Sequence, residues 1–390
     1  IAQYSLNPQI KKLFSSSKFK YKINTFVPME KLKILHISET FIGGVYTYLK
    51  ELSHFSENDG NFKTFIIYSA EREETNIKAI NDDFPSSTEL ICIDMTREIS
   101  VVRDLKSLFK IIALIRKINP DIIHLHSSKA GVLGRAAQFF LFKKKIIFYS
   151  PHGYSFLRTD ISEIKKNLYW KIEKSFQTIF KGETIACGDT EYEIACKIGK
   201  STLVRNGINI EEVRQGFAEN KNDVLTIGIV GRITFARNPE LFNNIALRFP
   251  QYRFVWIGDG ELKHLINATN IKITGWISNR KQLLNEINKI DIYLQTSLWE
   301  GLPIAVLEAM ALQKPVLATN VIGNKDVVYQ NETGFLFDDI SELDAYLDIL
   351  KDENKRALFG EKALERCVLF FDENKNFKSL FSVYNKALSH

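Results

Sequence analysis

Cysteine is scarce in this chain: Cys92, Cys187, Cys196 and Cys367 are the four among 390 residues. None belongs to a C-x-x-C pair, which argues against a metal or disulfide framework and makes a reducing cytosol the expected home. No apolar run approaches the roughly 20 residues of a spanning helix, and the start lacks the long apolar core of a signal peptide. Neither G-x-G-x-x-G nor G-x-x-x-x-G-K-[ST] occurs, which argues against an ordinary NAD fold and a P-loop ATPase. No D-x-D stands at the end of an expected strand, so the pattern offers no metal-gripping carboxylate pair. The net charge is only +6, too small to call for nucleic acid.

What remains is the composition of an ordinary soluble globular protein, 45% hydrophobic and 25% charged. The length suits two domains of about 100–200 residues each. The first 33 residues hold seven lysines against one acid, Glu30, with Phe14, Phe19, Tyr21 and Phe26 between them. Residues 1–28 read as a basic extension, either solvated or resting on a membrane surface; the solvated tail is the preferred reading. A domain then begins at Met29.

From residue 32 short β-rich runs alternate with amphipathic segments. Strands are expected at 32–37, 64–68, 90–94, 122–125, 146–149 and 184–187. Helices are expected at 45–55, 101–118, 130–142, 161–180 and 190–198. After the polar stretch 211–223 a second series follows, with strands at 225–230, 253–257, 271–274, 292–295 and 315–318. Its helices are 240–249, 261–268, 281–290 and 303–312, and two more are expected at 353–368 and 374–388. Such alternation predicts parallel sheets covered by helices. Two such domains face each other with the C-terminal strand ends at one cleft, where open α/β sheets bind ligands.

The most informative stretch is Glu300-Gly-Leu-Pro-Ile-Ala-Val-Leu-Glu308, two carboxylates across a loop-to-helix junction. Pro303 suits the first helical turn, where a missing N–H costs nothing. Carboxylates beside the apolar run Ala305–Ala311 are costly without polar partners. Glu308 falls roughly 7–8 Å down the helix at ~1.5 Å per residue, a placement better suited to gripping two parts of one extended ligand than to a glycosidase acid/base pair. Arg232 and Arg237 follow the strand ending at Gly231, and guanidinium groups there suit a diphosphate. Gly43-Gly44, Gly231 and Gly258-Asp-Gly260 also follow strands, where backbone N–H groups can approach phosphate. His152 lies in Ser150-Pro-His-Gly-Tyr154; it can donate to a substrate oxygen or serve the fold, and both readings stay open. His124 and His126 flank Leu125 and are assigned to opposite faces of their strand. The segment from His126 to Gly131, with Lys129, is the candidate meeting point for an acceptor.

Together these pieces resemble the retaining GT-B glycosyltransferases of family 4, which include many capsule, O-antigen and exopolysaccharide transferases. The resemblance runs from about Lys31 to the C-terminus. It is carried by Ser38–Tyr48, His124–Gly134, Pro151-His-Gly153, Val204–Asn209, Gly228–Arg237, Trp256–Gly260 and above all Glu300–Glu308. It implies an α/β fold of two Rossmann-like domains across a deep cleft: 29–205 for the acceptor and 206–370 for the nucleotide sugar. Residues 371–390 are then a helix crossing back to the first domain.

By the same resemblance Glu300, His152, Arg232 and Arg237 form the catalytic group. The donor is implied to lie along Gly43, Gly44, Arg232, Arg237, Gly258, Gly275, Trp276, Gly301, Leu302, Pro303, Ile304 and Glu308, with Glu308 on the ribose. His126 and Lys129 fall to the acceptor, and no metal or other cofactor is implied. Arg237 departs from the commoner lysine but keeps the charge. The implied reaction moves a hexosyl or N-acetylhexosaminyl unit from a nucleotide sugar, expected to be UDP-linked, to a glycan or undecaprenyl-diphosphate-linked acceptor. Basic and aromatic residues at 139–145 and 161–181 fit either a half-buried helix face or an anionic membrane surface, so the expected location is cytoplasmic and at the inner face of the membrane. The alternatives are a GT-B sugar-nucleotide epimerase, a sugar phosphorylase and a binding module with a degenerate site.

Overall fold

The computed structural model describes residues 31–71, 77–96, 99–141, 143–218 and 222–389. The basic extension expected over 1–28 lies outside them. The unit Leu32–His390 contains two sheets, every strand pair of which is parallel. The first comprises β1 (Leu32–Ser38), β2 (Phe62–Tyr68), β3 (Glu89–Cys92), β4 (Ile122–His126), β5 (Ile146–Ser150), β6 (Glu183–Ala186) and β7 (Ser201–Leu203), in the order β3-β2-β1-β4-β5-β6-β7. Its helices are α1 (Gly43–Asp59), α2 (Ile77–Asp83), α3 (Val101–Ile118), α4 (Ser128–Ala137), α5 (Glu163–Phe180) and α6 (Asp189–Ile198). The central strands β1 and β4 are buried on both faces, their histidines His36, His124 and His126 included.

The chain crosses over through α7 (Ile210–Arg214) to β8 (Thr226–Val230), β9 (Arg253–Ile257), β10 (Ile271–Ile273), β11 (Ile292–Gln295), β12 (Val316–Thr319) and β13 (Gly334–Phe337). These strands are ordered β10-β9-β8-β11-β12-β13. The accompanying helices are α8 (Pro239–Arg248), α9 (Arg280–Asn288), α10 (Ile304–Ala311), α11 (Asn324–Val327), α12 (Leu343–Leu350), α13 (Glu353–Phe370) and α14 (Glu373–Leu388). Helix starts follow local chemistry: the Asn238 side chain accepts from Leu241 N with Pro239 in the first turn, and Asp372 caps α14.

One expected helix, 261–268, is absent. Only a single 3₁₀ turn, Lys263–Leu265, forms there, because Asn243 Oδ1 takes the N–H groups of Asn267 and Ala268 at 2.8 and 2.9 Å. The edge strands β7 and β13, the short helices α2, α7 and α11, and α12 were not anticipated.

In α14, Phe377, Leu380, Phe381 and Tyr384 join the core made by Ile34, Leu49, Leu52 and Phe62 of the first sheet and its helices. Each buried apolar side chain of this size contributes about 1.5–3 kcal/mol, enough together to hold the last helix on the first domain. The outward and return crossings run side by side, joined by a bridge between Ile208 and Asp372. The strand order reverses between β1 and β4 in one sheet and between β8 and β11 in the other, so two ligand-binding switch points face each other.

Candidate active site

The C-terminal wall is built at the ends of β8 and β11. Leu298 N donates to Ala236 O at 2.9 Å and Thr296 Oγ1 to Arg237 O at 2.6 Å, which fastens the two loops together. Within that frame Glu300 Oε1 accepts from Ser297 Oγ at 2.6 Å and from Gln295 Nε2 at 2.7 Å, and it pairs with Arg237 Nη1. Arg237 also donates to Ser297 Oγ at 3.1 Å. Burial pushes the Arg237 guanidinium below its usual range, with Tyr293 opposing. Arg232 stands half-buried just beyond β8.

Pro303 is the N-cap of α10 and not its first helical residue, with ψ 98°. The N–H groups opening this helix make an anion-favouring edge beside Gly301. Glu308 is buried further along α10 and pairs with Arg280 Nη1; Arg280 Nε lies 3.5 Å from Glu212 Oε1. Leu302 is buried and Ile304 half-buried on the same edge.

The opposite wall comes from the first domain. His152 adopts φ 52°, and the next residue is held by a bond from Gly153 N to Glu191 Oε2 at 2.7 Å. A Cβ on Gly301 would lie 2.7 Å from His152 O, so the two walls touch at this glycine. A Cβ on Gly44 would meet Ile304 Cγ1 at 3.7 Å, and Gly43 opens α1 with φ 57°. Asp326 of the second domain accepts from Thr190 N at 3.0 Å and Thr190 Oγ1 at 2.9 Å, a further tie across the junction. A small cavity of about 70 Å³ remains between Thr47, Lys50, Glu212, Arg280, Glu308 and Glu373. A cavity of about 890 Å³ lies elsewhere, at the N-terminal ends of β5 and β6, so volume alone does not mark the site.

Several expectations are corrected. His124 and His126 lie on one face, their ring centroids 4.2 Å apart, because residues i and i+2 of a strand share a side. His126 is fully enclosed and bonded at both ring nitrogens to His36 and His152, which places it behind His152 and not against an acceptor. Lys129 Nζ pairs with Asp104 Oδ1 at 2.6 Å, both largely covered. A Cβ on Gly258 would sit 2.2 Å from Gly231 O; neighbouring backbone alone requires glycine there. Gly275 has φ 77°, and Trp276 is 66% exposed.

Sequence reasoning missed Gln295, Arg280, His36, Tyr48 and the Asp326–Thr190 tie. Gln295 carried a signal as a polar residue closing an apolar strand. His36 pairs in register with His124 on the adjacent strand, a relation that only the strand order reveals.

The family model described as Glycosyltransferase Family 4 matches residues 42–212, and the model described as Glycosyl transferases group 1 matches residues 209–366. The two adjoin at the crossover and cover both facing walls. The chain belongs to the group 1 glycosyltransferases of family 4. Among curated relatives, this glycosyltransferase is 28% identical to the UDP-Gal:alpha-D-GlcNAc-diphosphoundecaprenol alpha-1,3-galactosyltransferase of Escherichia coli, over 66% of this chain and 72% of the relative. It is 26% identical to the capsular polysaccharide biosynthesis glycosyltransferase CapM of Staphylococcus aureus, over 76% and 84%. Sucrose-phosphate synthase from Thermosynechococcus elongatus shares the fold with TM-score 0.76 at 17% identity, over 92% of this chain and 100% of that one. Anabaena HepE in complex with UDP and glucose superposes with TM-score 0.71 at 17% identity, over 91% and 100%. These likenesses establish the GT-B fold of this glycosyltransferase.

Proposed function

We propose that this glycosyltransferase moves a hexosyl or N-acetylhexosaminyl unit from a UDP-sugar to a glycan or undecaprenyl-diphosphate-linked acceptor in bacterial surface-polysaccharide synthesis, with retention of anomeric configuration. The observation that carries the reading is the Arg237–Glu300–Ser297 cluster facing His152 across Gly301. Breaking the anomeric C–O bond leaves negative charge on the diphosphate. In this reading Arg232, Arg237 and the N-terminus of α10 meet that developing charge, a preorganised stabilisation that needs no metal. Glu300 then borders the donor sugar, Glu308 takes the ribose hydroxyls, and His152 meets the sugar from the first domain. The acceptor hydroxyl attacks from the face the diphosphate leaves, and its proton passes to a departing phosphate oxygen.

The names of the galactosyltransferase and CapM support the polysaccharide reading, and the HepE complex supports UDP. An anionic membrane as the working surface is supported by exposed Phe139, Phe140, Ile164, Leu168 and Ile179 beside exposed Lys143, Lys144, Lys165 and Lys181. No helix among the described residues is long and apolar enough to cross a membrane. The test is transfer from a panel of nucleotide sugars to lipid-linked acceptors in the presence of EDTA, with the product anomer read by NMR. We expect metal-independent turnover with the donor's anomeric configuration, abolished in Glu300→Ala and Arg232→Ala. An inverted anomer, or turnover indifferent to both substitutions, would refute the assignment.

A further inference from the structure

Behind His152 lies a line of buried imidazoles that the transfer chemistry above leaves unused. His152 Nε2 is 3.0 Å from His126 Nδ1, and His126 Nε2 is 3.0 Å from His36 Nδ1. Burial pushes His36 down to about 3 and His152 down to about 4, and lowers His126 as well, so at neutral pH all three are uncharged. A neutral imidazole carries one N–H, and its other nitrogen accepts. His126 has both nitrogens engaged by imidazoles, so its two bonds run in one direction. The proton placement on His36 therefore fixes which nitrogen of His152 is protonated.

Neighbouring rings and hydroxyls flank His126 and His152. Ser150 Oγ donates to Ile185 O, so it accepts from His124 Nε2 at 2.9 Å, and His124 Nδ1 takes the hydroxyl proton of Tyr384 at 2.5 Å. The His124 ring, so fixed, rests 4.2 Å from that of His126, while Tyr48 meets His152 edge-on at 5.2 Å. The nitrogens of His36, His124 and His126 lie close enough for a shared metal ion. His124 and His126 have both nitrogens spent in hydrogen bonds, however, so the arrangement stores proton direction and not a cation.

We propose that His36 and His126 are positioning residues for the transfer: their chain locks His152 in one neutral tautomer, so that its free nitrogen, Nδ1, meets the donor sugar with a fixed hydrogen-bonding sense. This rests on the reading of His152 as a sugar contact. The test uses full-length protein with ¹⁵N-labelled histidine and long-range ¹H–¹⁵N correlation at neutral pH. His126 and His152 are expected in single tautomers of the same sense before any ligand is added. His126→Phe is expected to move the His152 nitrogens toward averaged values and to lower kcat by about 3- to 10-fold, the worth of one hydrogen bond, with KM little changed. His126→Asn, whose amide still reaches His152 Nε2, should restore most of that loss. Averaged tautomers in the unsubstituted protein would overturn the proposal, as would unchanged shifts and kcat in His126→Phe. A productive donor that leaves the His152 resonances unmoved would overturn the sugar contact beneath it, whatever the tautomer.

Discussion

Replacing Gly301 by alanine puts a methyl group where the closed junction has no room. The new Cβ would lie 2.7 Å from the His152 oxygen and 2.8 Å from its carbonyl carbon, where ordinary contact begins at 3.4 Å. The two loops must therefore part by about half an ångström or more, and overpacking of this kind costs about 1–3 kcal/mol. Because the loops belong to different sheets, an opening of the junction relieves the clash and leaves each domain folded. The cost then falls on the closed form alone, which at 1.36 kcal/mol per tenfold amounts to about 5- to 150-fold in kcat/KM. Steady-state transfer kinetics and urea unfolding on the same sample separate the two effects. Gly44→Ala is the matched control: its Cβ meets Ile304 Cγ1 at an ordinary 3.7 Å, so stability should hold. A loss of donor affinity in that variant would then report a ligand close to Gly44. Unimpaired turnover by Gly301→Ala would refute the placement of His152 and the Glu300 loop around one reaction centre.

Arg237→Met and Glu300→Gln should each destabilise, and their double-mutant cycle in urea should show coupling of about 1–3 kcal/mol, since the pair is mostly covered; additivity would deny the pair. Burial, with Glu51, Glu212 and Asp372 nearby, pushes the Glu373 carboxyl up to about 8. The folded protein thus keeps a proton that the unfolded chain releases near about 4.3, and stability falls as pH rises from there to about 8. Glu373→Gln should flatten that slope and stabilise the protein at high pH by about 1–3 kcal/mol; parallel pH profiles would contradict it. Arg135 lies buried between Glu173 Oε2 at 2.7 Å and Gly131 O at 2.7 Å, over the Tyr149 ring. Arg135→Ala should lower the urea midpoint at constant m-value, reporting a loss of about 3–5 kcal/mol of stability as for a broken buried pair.

Local chemistry was the legible part of this sequence. The run Asp291–Ala311 announced a buried strand, a tight loop and an apolar helix, and β11 and α10 lie there. The termini of α3 and β9 followed from apolar periodicity and flanking polar residues. Relations set by strand order were out of reach: nothing local ties His36 to His126, or Arg280 to Glu308. Lys129 shows the same limit, since its partner Asp104 stands one helix earlier. The 261–268 segment had the composition of a helix but lost its backbone donors to Asn243, a partner only the fold supplies. His124 and His126 were misplaced by a wrong period, an error two-residue alternation corrects without a structure.

Binding of a nucleoside diphosphate by the second-domain wall, through Arg232 and Arg237 beyond β8, is what the proposed transfer requires. Thermal unfolding with UDP, GDP, ADP and CMP, each with and without Mg²⁺, tests it most directly. At about 100 times its dissociation constant a ligand of the folded state adds about 2.7 kcal/mol. The account predicts that UDP stabilises without metal and that Arg232→Ala and Arg237→Ala abolish the effect. Stabilisation by no nucleotide, or equal stabilisation of both variants, would contradict it.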